Sequence, residues 1–236
     1  MLVVTFLRHG ETTSNVANII EGHTHGELTE RGIMMAEHLG RHLRDEKFTR
    51  IYSSDLKRCC DTTHIILQHS KNHHEEVLIL DKTLRERFFG DLELQPREAI
   101  RKLCIKTRQN YPHVRIPGGE TFQDVKKRAG KFFSMLCQIV DSSEEGDARE
   151  NVLVVTHAGW LMSFLHYLID NKQSLDFYFD PKLCKRPAHN TATTKIIIYK
   201  NETGMKRRVS VKHVHDTKHL PDNLQNKIDN TQETSS

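Results

Sequence analysis

The feature that most constrains the fold is the alternation of short apolar strands with longer helical stretches. Leu2–Leu7 (LVVTFL) and Val152–Thr156 (VLVVT) are short and rich in β-branched residues, which is typical of buried strands. Ile51–Ser53 and Val77–Leu80 are two further strand candidates. This alternation predicts an α/β fold with a largely parallel sheet. Because no internal repeat and no linker-like segment interrupts it, we expect one domain.

The remaining segments complete the predicted order of elements. Helices are predicted from Thr29 onward and over Leu56–Gln68, Glu98–Asn110, Phe122–Val140 and Trp160–Ile169. Ser53, Ser54 and Asp55 supply N-cap chemistry for the second of these. Lys195–Tyr199 and Arg208–His213 flank the turn residues 201–204 and predict a hairpin. From Thr217 the chain is polar and without periodicity, so we expect a domain over residues 1–216 and a disordered tail over 217–236.

Composition argues against several classes of protein. No stretch approaches the roughly 20 apolar residues of a membrane helix, and Arg8-His9 ends the first apolar run too early for a signal peptide. Five cysteines, an odd number without a CxxC pair, favour reduced thiols and a cytoplasmic location. The net charge is only +4, and no aromatic residues interleave with a basic stripe, which disfavours nucleic acid as a partner. We expect a monomer or weak oligomer that acts on a small molecule.

Chemically reactive residues follow four of the predicted strands. Arg8-His9-Gly10-Glu11-Thr12, with Asn15 beyond it, comes after the first strand, and His157 comes after Val152–Thr156. Arg58 lies within the first turns of the helix that follows the Ile51 strand, and Glu86 stands between two arginines in a loop. Ligands bind beyond the carboxyl ends of parallel strands. We therefore expect these residues to meet in one positively charged crevice.

A crevice of this composition suits phosphoryl transfer. A phosphate monoester is dianionic, and its in-line transition state spreads charge over three equatorial oxygens. Arg8 and Arg58 can clamp those oxygens with planar donors, while His157 and Asn15 donate further hydrogen bonds. Any single residue of this kind at a strand end is more often structural than catalytic. Four compatible segments in one chain favour a site.

His9 and Glu86 are the candidates for the covalent and proton-transfer steps. His9 can act as the nucleophile and form a phosphohistidine that water later cleaves. Nearby arginines favour the neutral imidazole that such an attack requires. Glu86 is the candidate acid that protonates the leaving alkoxide, and we expect its arginine neighbours to act on its carboxylate.

Four segments together resemble the motifs of the histidine phosphatases, the phosphoglycerate mutase-like superfamily. They are Arg8–Thr12 with Asn15, Ser53–Arg58, the Glu86 segment and Thr156–Gly159, in that order. The resemblance covers roughly residues 1 to 200 and implies a three-layer α/β/α sandwich with a mostly parallel central sheet. It implies His9 as the phosphorylated nucleophile and Glu86 as the proton donor. It places Arg8, Asn15, Arg58 and His157 in the phosphate pocket, with Gly22 as a substrate-binding residue, and it implies no metal and no cofactor.

Further segments resemble the fructose-2,6-bisphosphatase branch of that superfamily. These segments are Lys47–Thr49, Leu84–Arg87, Pro117–Thr121, Phe132–Phe133 and Leu136–Gln138. This resemblance implies a fructose-2,6-bisphosphate 2-phosphatase that restrains glycolysis, with 2,3-bisphosphoglycerate as a second possible substrate. Two departures bear on specificity. The family often has an Asp and a Pro where this chain has His25–Glu27, and many members have Glu-Gly where it has Glu93-Leu94.

A bisphosphate substrate, such as a sugar bisphosphate, requires a second anion site. The segment Arg97–Arg115 is basic, and within it we predict Lys106, Arg108 and Arg115 as binding residues; the alternative is a solvated basic helix. Other functions remain open. The chain can be a broad-specificity phosphomonoesterase, a 2,3-bisphosphoglycerate phosphatase, a mutase, or an inactive family member that acts as a binding protein.

Overall fold

A mixed seven-stranded sheet forms the centre of the molecule. The computed structural model describes residues 1–72, 78–143, 150–201 and 205–225. The strands are β1 (Leu2–Arg8), β2 (Arg50–Ser53), β3 (Leu78–Leu80), β4 (Glu150–Thr156), β5 (Leu175–Asp176), β6 (Thr193–Ile198) and β7 (Arg207–Asp216). Their order across the sheet is β3-β2-β4-β1-β6-β7-β5. The first four of these run parallel, whereas β6 is antiparallel to both β1 and β7. The prediction of a mostly parallel sheet is confirmed.

Helices cover both faces of this sheet. They are α1 (Thr13–Val16), α2 (Glu30–Leu43), α3 (Lys57–Gln68), α4 (Glu98–Thr107), α5 (Phe122–Ser142), α6 (Ala158–Asp170) and α7 (Asp222–Gln225). Short 3-10 turns occur at Lys82–Leu84, Gly90–Leu92 and Pro181–Lys185. Within the described ranges, no helix is long and apolar enough to cross a membrane.

The side-chain alternation of β1 creates two separate cores. Leu2, Val4 and Phe6 pack with α5 and α6 in the larger core, while Leu7 packs with α2 and α3 in the smaller one. Successive side chains of a strand point to opposite faces, and a strand covered on both faces needs an apolar residue at nearly every position. This is why β1 and β4 consist almost entirely of apolar residues. Helices packed on both faces of the sheet form the predicted three-layer sandwich.

The N-terminus of α3 differs from the prediction. The helix begins at Lys57, and its N-cap Leu56 provides no side-chain hydrogen bond. The predicted caps have other partners: the Ser54 hydroxyl is 2.9 Å from a nitrogen of His157, and Asp55 forms an ion pair with Arg85. The polar residues at this strand end therefore serve the crevice and the neighbouring loop.

The chain remains folded beyond residue 216. Leu220 and Leu224 are 3% and 5% exposed and form a small core with Met35 of α2. The Leu224 carbonyl accepts a 2.6 Å hydrogen bond from Arg31. The prediction of a disordered tail is therefore wrong for residues 217–225, because two apolar side chains are enough to attach this polar segment. Residues 226–236, Val77, residues 144–149 and the turn residues 202–204 lie outside the described part of the chain.

Candidate active site

The four sequence segments meet where β1, β2 and β4 end. The amide of His9 donates to the Thr156 carbonyl at 3.0 Å and so joins the ends of β1 and β4. The amide of Ser54 donates to the Val155 carbonyl at 2.9 Å and joins the end of β2 to the same point. The rings of His9 and His157 lie edge to face, with centroids 5.1 Å apart. The predicted crevice is thus formed at the carboxyl edge of the parallel strands.

His9 is held as a neutral imidazole with one nitrogen available for attack. Its Nδ1 lies 2.8 Å from the carbonyl oxygen of Gly10, and a carbonyl can only accept, so Nδ1 carries the proton. The side chain is almost fully buried, at 3% exposure. Burial, followed by the charges of Arg58 and Arg8, holds the pKa of His9 well below its usual range. Nε2 is therefore unprotonated and nucleophilic at neutral pH.

Arg8 extends from the end of β1 and is anchored at two points. Its Nη1 donates to the Ala188 carbonyl at 2.8 Å, and its Nη2 donates to Oδ1 of Asn15 at 3.2 Å. Its Nε is buried and has no hydrogen-bond partner among the described residues. Burial, with the charge of Arg97 next, lowers the pKa of Arg8 to about 10, so the side chain stays cationic at neutral pH. Arg8 can therefore offer Nε to an anion.

Arg58 holds the loop over residues 21–24 against the crevice. Its Nη2 donates to the Gly22 carbonyl at 2.7 Å and its Nη1 to the Thr24 carbonyl at 3.0 Å. The side chain is 1% exposed, and its Nε makes no hydrogen bond to the described residues. As in Arg8, the two terminal nitrogens fix the guanidinium, while Nε of Arg58 lies 3.5 Å from the carboxylate of Glu21.

Gly22 occupies a position that only glycine fits. Its φ of +54° lies in the left-handed region, and a Cβ there would overlap the carboxylate of Glu93. That carboxylate accepts hydrogen bonds from the amides of His23, at 2.7 Å, and Phe89, at 3.1 Å. The close approach therefore ties the loop around Gly22 to the loop that follows Glu86.

Two backbone amides fix the Glu86 carboxylate. Oε1 accepts from the amide of Arg87 at 2.8 Å, and Oε2 accepts from the amide of Gly159 at 3.0 Å. The arginines on either side of Glu86 are engaged elsewhere. Arg85 pairs with Asp55, and the guanidinium of Arg87 donates to the carbonyls of Pro112, Val114 and Glu120. Neither guanidinium therefore donates a hydrogen bond to the Glu86 carboxylate, although the charges of Arg87 and Glu86 still interact.

His157 is completely buried at the start of α6. Its Nε2 is 2.9 Å from the Ser54 hydroxyl and 3.4 Å from the thiol sulfur of Cys59. Burial and the charge of Arg58 hold the pKa of His157 well below its usual range, while burial raises the pKa of the Cys59 thiol. Both groups are neutral, so His157 carries one ring N–H that it can donate.

Asn190 also lies beside His9 and Asn15, but it was not predicted, because it does not follow the carboxyl end of a parallel strand. Its Nδ2 donates to the His9 carbonyl at 3.1 Å and to Oδ1 of Asn15 at 3.0 Å. It precedes β6, and β6 runs antiparallel to β1, so the start of β6 lies at the edge where β1 ends. The predicted hairpin could have indicated Asn190. If its first strand runs antiparallel to β1, the residues just before that strand lie at the same edge of the sheet as His9.

Within the predicted basic segment Arg97–Arg115, the first residue has the strongest electrostatic effect on the site. Lys106, Arg108 and Arg115 are exposed, and none of them is among the strongest electrostatic influences on Arg8 or His9. Arg97, at the start of α4, does act on both, and its backbone amide donates to the Asn18 carbonyl close to the catalytic loop. Lys106 is nine residues further along the chain, roughly 13 Å along a helix axis. Arg97 is therefore the member of the predicted basic segment whose charge acts on Arg8 and His9.

Known proteins share both the sequence and the fold of this chain. A family model described as the histidine phosphatase superfamily (branch 1) matches residues 4–210. The fructose-2,6-bisphosphatase TIGAR of Xenopus tropicalis is 30% identical over 221 residues, 77% of this chain and 79% of that protein. A broad-specificity phosphatase of Saccharomyces cerevisiae is 29% identical over 92% of this chain and 86% of its own. The solved structure of Bacillus stearothermophilus YhfR superposes with a TM-score of 0.71 at 25% identity, covering 93% of this chain and 99% of that one.

Proposed function

Because the chain belongs to the histidine phosphatase superfamily, a family of phosphatases, we propose that it hydrolyses a small phosphate monoester through a phosphohistidine at His9. The observation that carries this proposal is the state of His9. His9 is buried, and its Nδ1 faces the Gly10 carbonyl, which leaves Nε2 without a proton. Nε of Arg8 has no hydrogen-bond partner among the described residues, and Nε of Arg58 has only the 3.5 Å ion pair with Glu21. This is the arrangement that nucleophilic attack on a dianionic ester requires.

In the first step, Nε2 of His9 attacks phosphorus and the bond from phosphorus to the ester oxygen breaks. The Nε donors of Arg8 and Arg58 and a ring N–H of His157 stabilise the charge on the equatorial oxygens. Glu86 in its protonated form gives its proton to the leaving alkoxide, which departs as an alcohol. The amides of Gly159 and Arg87 hold the resulting carboxylate in place.

In the second step, water attacks the phosphoryl group on His9. The Glu86 carboxylate accepts a proton from this water, and the bond between phosphorus and Nε2 breaks. His9 regains its lone pair, Glu86 regains its proton, and inorganic phosphate leaves. One residue thus serves as acid and then as base, as microscopic reversibility requires.

For the substrate we propose the 2-phosphate of fructose-2,6-bisphosphate, whose loss restrains glycolysis. The TIGAR relative supports this choice, and the charge of Arg97 beside the phosphate pocket offers a partner for the second phosphate. The yeast relative supports a second candidate, a broad-specificity phosphomonoesterase. The two candidate functions predict different rates. The first predicts that one bisphosphate is hydrolysed much faster than other phosphate esters, and the second predicts similar rates for many esters.

The direct test is hydrolysis of phosphorylated glycolytic metabolites by the wild type and by His9→Ala. We expect the wild type to release phosphate fastest from fructose-2,6-bisphosphate and His9→Ala to release none. Brief incubation with labelled substrate should trap acid-labile, base-stable phosphate on His9. Phosphate release that survives in His9→Ala contradicts the mechanism, and similar rates across the panel favour the broad-specificity enzyme.

Glu86→Gln tests the acid. The amide cannot supply the proton, so kcat should fall by about 10²- to 10⁴-fold. Binding of inorganic phosphate, measured by calorimetry, should change far less, because the arginines and His157 remain. Equal losses in kcat and in phosphate affinity would remove Glu86 from the role of acid.

Arg97→Gln tests the second anion site, with Lys106→Gln as the matched control on the same helix. Arg97 is exposed, so loss of its charge beside a bound phosphate should raise KM for the bisphosphate by about fivefold, which corresponds to about 1 kcal/mol. KM for a small monophosphate should move much less. If Lys106→Gln has the larger effect on the bisphosphate, the second phosphate lies along α4 as the sequence suggested.

A further inference from the structure

Glu21 places a second buried carboxylate, besides that of Glu86, beside the arginines of the pocket. The residue is 7% exposed. Its Oε2 lies 3.5 Å from Nε of Arg58 and 3.5 Å from Nδ2 of Asn15. Its Oε1 is buried without a hydrogen-bond partner among the described residues. Burial of a carboxylate with one unpaired oxygen and two long contacts lowers the free energy of unfolding. A role in function would explain why the residue is there.

The two groups that Glu21 contacts are donors that a phosphate would use. Nε of Arg58 makes no shorter hydrogen bond to the described residues. Oδ1 of Asn15 already accepts from Arg8 and Asn190, which directs the amide group of Asn15 toward Glu21. An incoming phosphate must therefore share these two donors with a carboxylate already in place.

The carboxylate is held there by its own loop. A Cβ on Gly26 would overlap Oε1 of Glu21, so the two groups are in close contact and the side chain has little room to withdraw. The loop itself does not need the charge. Arg58 fixes it through the carbonyls of Gly22 and Thr24, and both the amide and the hydroxyl of Thr24 donate to the Glu21 carbonyl.

We propose that Glu21 is a specificity-determining residue that weakens the binding of free inorganic phosphate. This inference rests on the proposed phosphatase function, in which phosphate is the product. The Glu21 carboxylate repels any dianion at the pocket and competes with it for Arg58 and Asn15. A substrate ester has the rest of its molecule with which to offset this repulsion, whereas inorganic phosphate does not. Glu21 thereby favours ester binding over product retention.

The test is the affinity of Glu21→Gln for inorganic phosphate, measured by calorimetry at fixed pH and ionic strength. The amide is nearly isosteric and removes only the charge, so we expect phosphate to bind about tenfold more tightly than to the wild type. Glu21→Asp, which keeps the charge, should bind phosphate weakly. Glu27→Gln is the matched control, since Glu27 is an exposed carboxylate of the same loop, and its affinity should equal that of the wild type.

A gain in affinity is a result that loss of a structural contact does not produce. Unchanged or weaker phosphate binding in Glu21→Gln, with unchanged thermal unfolding, overturns the proposal. If that variant fails to fold, Glu21→Ala also removes the carboxylate and carries the same expectation. The measurement needs no turnover. If the wild type binds phosphate but hydrolyses no ester, only the proposed function is refuted. If the wild type is active but Glu21→Gln binds phosphate no more tightly, only the role of Glu21 is refuted.

Discussion

Arg8 and Arg58 combine fixed positions with available donors. The terminal nitrogens of each guanidinium are bonded to protein acceptors, and the buried Nε is left over. An exposed arginine loses side-chain entropy when it binds an anion, but these two have already lost it on folding. In the proposed reaction the two guanidinium groups are therefore in position before a substrate arrives, so less binding energy is spent on ordering them.

Gly159→Ala separates catalysis from stability at one position. Gly159 lies in the first turn of α6, and a Cβ there would overlap the Glu86 carboxylate. Alanine favours a helix over glycine by up to about 1 kcal/mol, so the free energy of unfolding should not fall. Displacement of Glu86 should lower kcat by about 10²-fold. Urea denaturation and steady-state kinetics measure the two effects.

The double variant Glu86→Gln with Gly159→Ala is the control for that prediction. If Gly159 acts through Glu86, the second substitution should add little to the loss caused by the first. Losses in kcat that multiply would mean that Gly159 affects another part of the site.

Leu94→Gly should stabilise the protein. Leu94 has a φ of +64° and is 62% exposed, so its side chain gains little burial in return for a strained backbone. A left-handed conformation costs a non-glycine residue about 1 kcal/mol or more, and the substitution removes this cost. Part of the gain is lost because glycine has the larger conformational entropy in the unfolded chain. We expect a gain of about 0.5 kcal/mol or more in the free energy of unfolding. This is also the position at which many family members have glycine.

Ile105→Gly is the matched comparison for Leu94→Gly. Ile105 is similarly exposed, at 65%, but lies within α4, where glycine is unfavourable. This variant should lose stability while Leu94→Gly gains it. Equal losses in both would show that the conformation of Leu94 is not the source of strain.

At the scale of elements, residues 217–225 link α2 to the catalytic loop. Arg31 of α2 forms a 2.6 Å ion pair with Glu11, two residues after His9, and also donates to the Leu224 carbonyl. Another contact joins Nε2 of His219 to the hydroxyl of Thr191, beside Asn190. The final segment thus supports the crevice from two sides although it contributes no side chain to it.

Deletion of the chain after Asp216 should therefore weaken both stability and activity. Exposure of Met35 and loss of the buried Leu220 and Leu224 side chains should cost about 3 kcal/mol or more. A chain that ends at Gln225 retains all of these contacts and is the control. Chemical denaturation of the two truncated proteins provides the comparison, and equal stabilities would contradict the role assigned to this segment.

For the whole molecule, buried histidines predict the response to acid. Burial lowers the pKa of His215 and His219 to about 4, from the ordinary 6.5, and places that of His9 and His157 below the usual range. Between pH 6.5 and about pH 4, these histidines bind protons in the unfolded chain but not in the folded protein. Stability should be complete above about pH 6.5 and fall as the pH decreases toward 4, by at most about 3 kcal/mol for each of His215 and His219.

Urea denaturation between pH 7.5 and pH 4.5 tests this prediction. The surface carboxylates with lowered pKa, such as Asp55 and Asp141, affect stability only below this window, because their ordinary pKa is already 3.8. His215→Gln should flatten the pH dependence by at most about one quarter, because His9, His157 and His219 contribute in the same direction. A pH-independent stability across this range would mean that these histidines titrate normally.

The central sheet and the meeting of His9 with His157 at its edge were predictable because they depend on local patterns. An apolar run followed at once by His9 or His157 specifies both a buried strand and a residue at its carboxyl end. Asn190 and Glu21 were missed because their positions depend on how distant segments pair across the edge of the sheet. The attachment of residues 217–225 was missed for a related reason, since Leu220 and Leu224 form too short a pattern to predict burial. The partners of Arg85 and Arg87 depend on loops whose path the sequence does not specify.

The position of β1 has a consequence for synthesis on the ribosome. β1 precedes both of its neighbours in the chain, since Leu2 pairs with Glu150 on one side and with Ile198 on the other. An apolar segment of this kind therefore emerges from the exit tunnel long before either neighbour exists, and it must remain unpaired while most of the chain is translated. The edges of β1 stay unpaired until then, and the arrangement around His9 can form only after β6 has been released.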